Sequence, residues 1–174
     1  MEKRMSNMGF RLRAIEFKLR NLLRPRKDIV KEVGIKAGDR VLDYGCGPGG
    51  YIPALEDLVG ESGKIYALDV QPLALQMVQS MAAKKRLKNV ETILSDCKTG
   101  LPDVSIDAVL LYDILHDLDN PRCVLEELYR VLKADGVLSL SDHHLKEDEI
   151  ISRVTAGGLF KVVKKGIKTV SFGK

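Results

Sequence analysis

No stretch of the 174-residue sequence approaches 18 consecutive apolar residues, which argues against a membrane-crossing helix. Its start, Met1-Glu-Lys-Arg4, leads into a mixed basic and apolar segment, with no continuous apolar centre and no small-residue cleavage site. A secretory signal is not expected. Cysteine is scarce. Cys46, Cys97 and Cys123 are odd in number and scattered, so neither a disulfide framework nor a zinc site is expected. Small, buried, unreactive thiols in a reducing cytoplasm are the default. Internal repeats, low-complexity tracts and long linkers are also missing. A chain of this length is expected to form one domain over 1–174 with its own core.

What is present is an uneven charge. Residues 1–31 carry ten Lys and Arg against three acids, +7, while the remainder carries 18 basic and 21 acidic residues, −3. The basic segment has a helical period: Met8, Leu12, Ile15, Leu19 and Leu22 follow steps of four and three. Phe10, Ala14 and Phe17 widen the stripe, and Arg11, Arg13, Lys18 and Arg20 lie largely off it. Residues 1–25 are therefore read as a basic amphipathic helix, ended or restarted by Pro25. Such a helix packs across a core, covers a pocket as a lid, or touches an anionic membrane surface. Phe10 and Phe17 alone make a poor stacking platform, so nucleic acid is the least favoured partner.

From residue 26 onward strands alternate with helices. A short helix is expected over Lys27–Val33. Strands are expected over Arg40–Asp43, Lys64–Asp69, Val90–Leu94, Asp107–Tyr112 and Gly136–Leu140. Helices are expected over Tyr51–Val59, Leu73–Lys85, about Pro121–Leu132, and Glu147–Thr155. Two last strands, Leu159–Val163 and Lys168–Phe172, are joined through Lys164-Lys165-Gly166, too short a link for a crossover helix, so they should be antiparallel. The pattern implies an α/β fold, with a mostly parallel sheet covered by helices on both faces. Ligands on such sheets bind beyond the carboxyl ends of the strands.

Those ends carry acids: Asp43, Asp69, Asp96 and Asp113. Strand 1 runs into Gly45-Cys-Gly-Pro-Gly-Gly50, which also satisfies the GxGxxG spacing of dinucleotide sites. Asp43 argues for another ligand. A pyrophosphate gains nothing from a carboxylate two residues before the loop, whereas an adenosyl ligand with a cationic amino-acid portion does. Asp69 can accept two ribose hydroxyls in either case. Asp96 can accept from an adenine amine, with the following backbone N–H reaching a ring nitrogen.

Taken in order, these motifs resemble those of class I S-adenosylmethionine (SAM)-dependent methyltransferases. Val41-Leu-Asp-Tyr-Gly-Cys-Gly-Pro-Gly-Gly50 looks like the first motif and Tyr66-Ala-Leu-Asp69 like the second. Ser95-Asp96 with Leu101-Pro102 is similar to the third. Asp107-Ala-Val-Leu-Leu-Tyr-Asp-Ile-Leu-His-Asp-Leu118 is similar to the fourth strand and its loop, and Glu127-Leu-Tyr-Arg-Val-Leu-Lys-Ala-Asp-Gly136 to the stretch before strand 5. The resemblance covers residues 26–174 and is nearest to the ubiquinone/menaquinone-biosynthesis-like group of small-molecule methyltransferases.

The resemblance implies a Rossmann-like seven-stranded sheet of order 3-2-1-4-5-7-6, strand 7 antiparallel. It implies that Asp43, Gly45, Cys46, Gly47 and Gly49 hold the methionine part of the cofactor. Asp69 would take the ribose, Val70 would pack on the adenine, and Asp96 with the Cys97 backbone would read its edge. Groups near Tyr112 and Asp113 would meet the amino group or the acceptor. Methyl transfer is an in-line displacement that needs mainly alignment, and a base only for a weak nucleophile. The histidines, His116, His143 and His144, all follow strands 4 and 5; His116 and His143 are the candidate catalytic residues. No metal is expected. The implied acceptor is a small, quinone- or lipid-like molecule, and the chain's form permits peripheral membrane contact and a homodimer. The alternatives are a noncatalytic SAM-binding module or an RNA or protein methyltransferase. An NAD-dependent oxidoreductase is disfavoured.

Overall fold

The computed structural model describes Met8, Gly9 and residues 26–174. The basic helix expected over residues 1–25 lies, those two residues apart, outside the described residues. The elements in chain order are α1 (Arg26–Lys31), β1 (Arg40–Tyr44), α2 (Ile52–Val59), β2 (Lys64–Asp69), α3 (Pro72–Lys85), β3 (Val90–Leu94), β4 (Ile106–Tyr112), α4 (Pro121–Val131), β5 (Leu132–Ser141), α5 (Glu147–Thr155), β6 (Lys161–Lys165) and β7 (Val170–Gly173).

The strands form one seven-stranded sheet of order β3-β2-β1-β4-β5-β7-β6. β1 pairs in parallel with β2 and β4, β2 with β3, and β4 with β5; β7 runs antiparallel between β5 and β6. This is the arrangement the resemblance implied. Its central strands are buried on both faces, so they read as continuous apolar runs. Side chains still alternate. Val41, Ala108 and Leu110 pack under α1, α2 and α3, beside Ile52, Leu55 and Val78. Leu42, Tyr44, Val109 and Leu111 face the opposite way, toward Leu125 and Leu128 of α4 and Ile150 and Val154 of α5.

The main departures from the expected boundaries are at β5 and the last hairpin. β5 begins at Leu132, where it pairs with Ile106 ahead of a register shift. The last hairpin turns later than its sequence suggests. The backbone N–H groups of Lys168 and Thr169 donate to the Glu32 carboxylate, each at 3.1 Å, and Gly166 N–H closes on Thr169 O at 2.7 Å. Lys168 and Thr169 are thereby claimed by the turn, and Lys164 and Lys165 by β6.

The parallel registers bring the carboxyl ends of β1, β2, β4 and β5 to one rim: Tyr44 stands opposite Leu68 and Leu111, and Tyr112 opposite Ser141. Every strand-end acid singled out above lies on or just beyond that rim.

Candidate active site

β1 leads straight into the glycine loop. Gly45, Gly47 and Gly49 all take positive φ, +75°, +52° and +78°, a region that L side chains rarely adopt. At Gly49 a side chain has no room, since an added Cβ would lie 2.8 Å from Val78 Cγ2. The loop is pinned by the Gly45 and Cys46 N–H groups, which donate to Leu68 O at 2.8 and 2.9 Å. The Cys46 thiol is buried, and burial pushes its pKa well up, so it is the inert thiol expected.

Asp43 sits beneath this loop, 2% exposed. Its Oδ2 is buried and has no hydrogen-bond partner among the described residues. Burial pushes its pKa up to about 7, with the Arg26 guanidinium pulling it down and Asp69 pushing it further up. Arg26 also stacks over the Tyr51 ring at 4.4 Å. Sequence reasoning placed Arg26 only in a basic stretch; its place over the site depends on how α1 lies across the sheet.

Asp69, at the end of β2, braces the loop from the other side. Its Oδ2 accepts the Gly47 N–H and its Oδ1 the Gln71 N–H, both at 2.8 Å. Burial raises its pKa, and N–H donors from Gln71, Gly47 and Val70 oppose the rise. Three donors on about four lone-pair sites leave about one acceptor position for a ribose hydroxyl. Val70 follows, partly buried at the rim.

Beyond β3, Asp96 is exposed, and its carbonyl accepts the Tyr44 hydroxyl at 3.0 Å. The Cys97 N–H donates to Ser95 Oγ at 3.2 Å. The cysteines require a correction. Cys97 and Cys123 are joined in a disulfide, whereas isolated thiols that do not converge were expected. The β3 loop and the start of α4 meet at the same rim, although 26 residues separate them in sequence. α4 begins there because Asn120 Oδ1 caps the Cys123 N–H at 3.1 Å and Pro121 supplies the first turn. Such bonds are rare in the reducing cytoplasm assumed for the chain.

The Tyr112 side chain points into the packing. Its hydroxyl shares a 2.8 Å hydrogen bond with Ser139 Oγ, and burial drives its pKa up. Asp113, next in the chain, takes φ +54° and turns the other way. Its Oδ1 lies 2.7 Å from His143 Nδ1 and accepts the His143 N–H at 3.2 Å. His116 mirrors this: its Nδ1 lies 2.8 Å from Asp142 Oδ2. Asp142, buried, also accepts the backbone N–H groups of His116 at 3.2 Å and His144 at 3.0 Å. The rings converge, His116–His144 at 4.1 Å and His143–His144 at 3.9 Å between centroids. Asp142 is not among the strand-end acids singled out from the sequence. The missed signal is positional, since it follows β5 as Asp113 follows β4.

The structure thus gathers Asp43, the glycines, Asp69, Asp113, His116 and His143 along one rim. The residues fit SAM on one direct observation: a buried carboxylate oxygen with no partner among the described residues lies beneath a glycine-rich loop, where a ligand's ammonium group would supply the missing donor.

Comparison with known proteins agrees. The methyltransferase domain family matches residues 35–168. The chain is 32% identical over 118 residues to the demethylmenaquinone methyltransferase of Geobacillus sp. (strain WCH70), covering 67% of this chain and 50% of that protein. It is 33% identical over 143 residues to the chloroplastic 2-phytyl-1,4-beta-naphthoquinone methyltransferase of Arabidopsis thaliana, covering 79% and 54%. The chain spans about half the length of these curated relatives. Among solved structures it is similar to a SAM dependent methyltransferase from Aquifex aeolicus, with TM-score 0.75, 30% identity, and coverage of 85% and 87%.

Proposed function

Because the chain belongs to the methyltransferase domain family, we propose that it transfers the methyl group of SAM to a small, oxygen-bearing acceptor of quinol type. The observation that carries this reading is the unpartnered Oδ2 of buried Asp43 beneath the glycine loop. Asp43 holds the cofactor's ammonium, with Gly45, Cys46, Gly47 and Gly49 lining its methionine portion. Asp69 binds the ribose while bracing Gly47. Val70, Asp96 and the Cys97 backbone surround the adenine. The backbone at Tyr112 and the Asp113 side chain border the methyl group.

The chemistry asks little of the protein beyond alignment. As the acceptor's nucleophilic atom forms its bond to the methyl carbon, the bond to sulfur breaks and its electron pair returns to sulfur. Holding the two in line can be worth about 7–11 kcal/mol of the barrier. His116 and His143, each fixed by a carboxylate through Nδ1, are the side chains proposed to contact the acceptor. The names of the relatives cited above supply the quinone-like class. The same reading makes residues 1–25 a lid or a peripheral membrane contact. It takes the described residues as one domain able to pair with a second copy and needs no nucleic-acid partner; a cytoplasmic setting would make the Cys97–Cys123 bond one of the rare exceptions there. No helix among the described residues is long and apolar enough to cross a membrane.

The test is transfer of labelled methyl from SAM to a reduced, prenylated naphthoquinone presented in vesicles. Label in the lipid fraction is expected. SAM binding without transfer to that acceptor or to any fraction of a cell extract would favour the noncatalytic alternative.

A further inference from the structure

We propose that Asp113, Asp142 and His143 form a binding site for a first-row divalent transition-metal ion on the acceptor side of the rim. The proposed role rests on the reading above, and specifies how an acceptor oxygen is held. One donor atom from each of the three side chains lies within 4.8 Å of the other two. A tetrahedral ion with ligand distances of about 2.0–2.2 Å needs donors about 3.3–3.6 Å apart, so closure requires donor separations to change by under about 1.5 Å. An ion there replaces the His143–Asp113 hydrogen bond, which now holds the donors at 2.7 Å.

The whole chain has three histidines, and all three meet at this point. They come from two loops about 30 residues apart, brought together by the β4–β5 pairing. Packing does not require it, because the rings of His143 and His144 are exposed. Two carboxylates balance a double positive charge. An imidazole donor favours zinc, copper, nickel or iron over calcium and magnesium, which prefer all-oxygen sets.

The surroundings match a ligand set that is oriented in advance. Asp142, with 1% of its side chain exposed, is held by His116 Nδ1 and by the N–H groups of His116 and His144. The far side of the His116 ring is fixed in turn, with Nε2 lying 3.4 Å from Asp117. Such outer contacts fix the direction in which a ligand's free lone pair points. Three protein ligands leave coordination positions open, and an acceptor with a hydroxyl, or with two adjacent oxygens, would take them. From the sequence no metal is expected, because no motif spacing joins Asp113 to Asp142-His143.

The full chain, stripped with a chelator and dialysed, should bind one Co2+ with the appearance of visible d–d absorption, and one Zn2+ by calorimetry. A hundredfold excess of Ca2+ should not displace either ion. Asp142→Asn and His143→Gln should each weaken Co2+ binding at least tenfold, while their SAM affinity stays within about twofold and reports that the fold is intact. Absence of stoichiometric Co2+ or Zn2+ binding by the wild-type chain would overturn the site. Undiminished binding in both folded variants would also overturn it. Metal binding by a wild-type chain that does not bind SAM would support the site and sink the function proposed for it.

Discussion

Two buried carboxylates, Asp43 and Glu127, sit in the same domain under opposite conditions. Glu127, 1% exposed, is saturated. It accepts the Thr99 N–H at 2.8 Å and the Thr99 hydroxyl at 2.7 Å, and it bonds Lys98 and two nitrogens of Arg130. Arg130 above all, with the Thr99 and Lys98 donors, outweighs burial and holds its pKa well below the usual range. Asp43 is just as buried, has an oxygen with no partner among the described residues, and is pushed up to about 7. Glu127 stitches the loop after β3 onto α4. Asp43 does no such stitching with that oxygen. A carboxylate left in this state weakens the apo fold, and it is retained where a ligand supplies the missing donor.

The sharpest way to widen this contrast is to vary pH. A carboxyl whose pKa is raised by folding keeps its proton where the unfolded chain has lost it. Its contribution is fully present below about pH 4 and is lost as pH rises through about 7. The shift of about three units corresponds to as much as about 4 kcal/mol. Urea denaturation of the apo protein should show this slope, and Asp43→Asn should remove it, leaving the variant more stable than wild type at pH 8. Glu127→Ala tests the other side. Removing the acceptor strands Thr99 and leaves Arg130 with Asp103 as its remaining acid partner. A loss of about 3 kcal/mol is expected, read as a lower urea midpoint at unchanged slope. An equal loss from Asp43→Asn would erase the distinction.

Much of the fold was legible because its signals are local. Runs such as Val109-Leu-Leu111 fit strands buried on both faces, and Pro72 and Asn120-Pro121 mark helix starts. The Gly45–Gly50 loop and Asp69 marked the rim proposed for the cofactor. The remainder depends on separations that sequence cannot span. Cys97 reaches Cys123 only once the β3 loop and α4 share a rim. Asp142 becomes the partner of His116 only because β4 and β5 pair in register. Glu32 claims Thr169 across 137 residues, and no pattern announces it.

In the proposed function, Asp43 keeps Oδ2 unsatisfied for the cofactor's ammonium. Calorimetric titration with SAM from pH 5.5 to 8 tests it most directly. Binding must then ionise Asp43, so affinity should climb close to tenfold per pH unit below about 7 and flatten above it until the ligand's ammonium begins to lose its proton near about 8. Asp43→Asn should bind at least about a hundredfold more weakly at pH 7.5, with no such climb, as a buried charged partner is lost. A wild-type affinity that does not change over this range, or an Asp43→Asn variant that binds SAM as wild type does, would contradict the account.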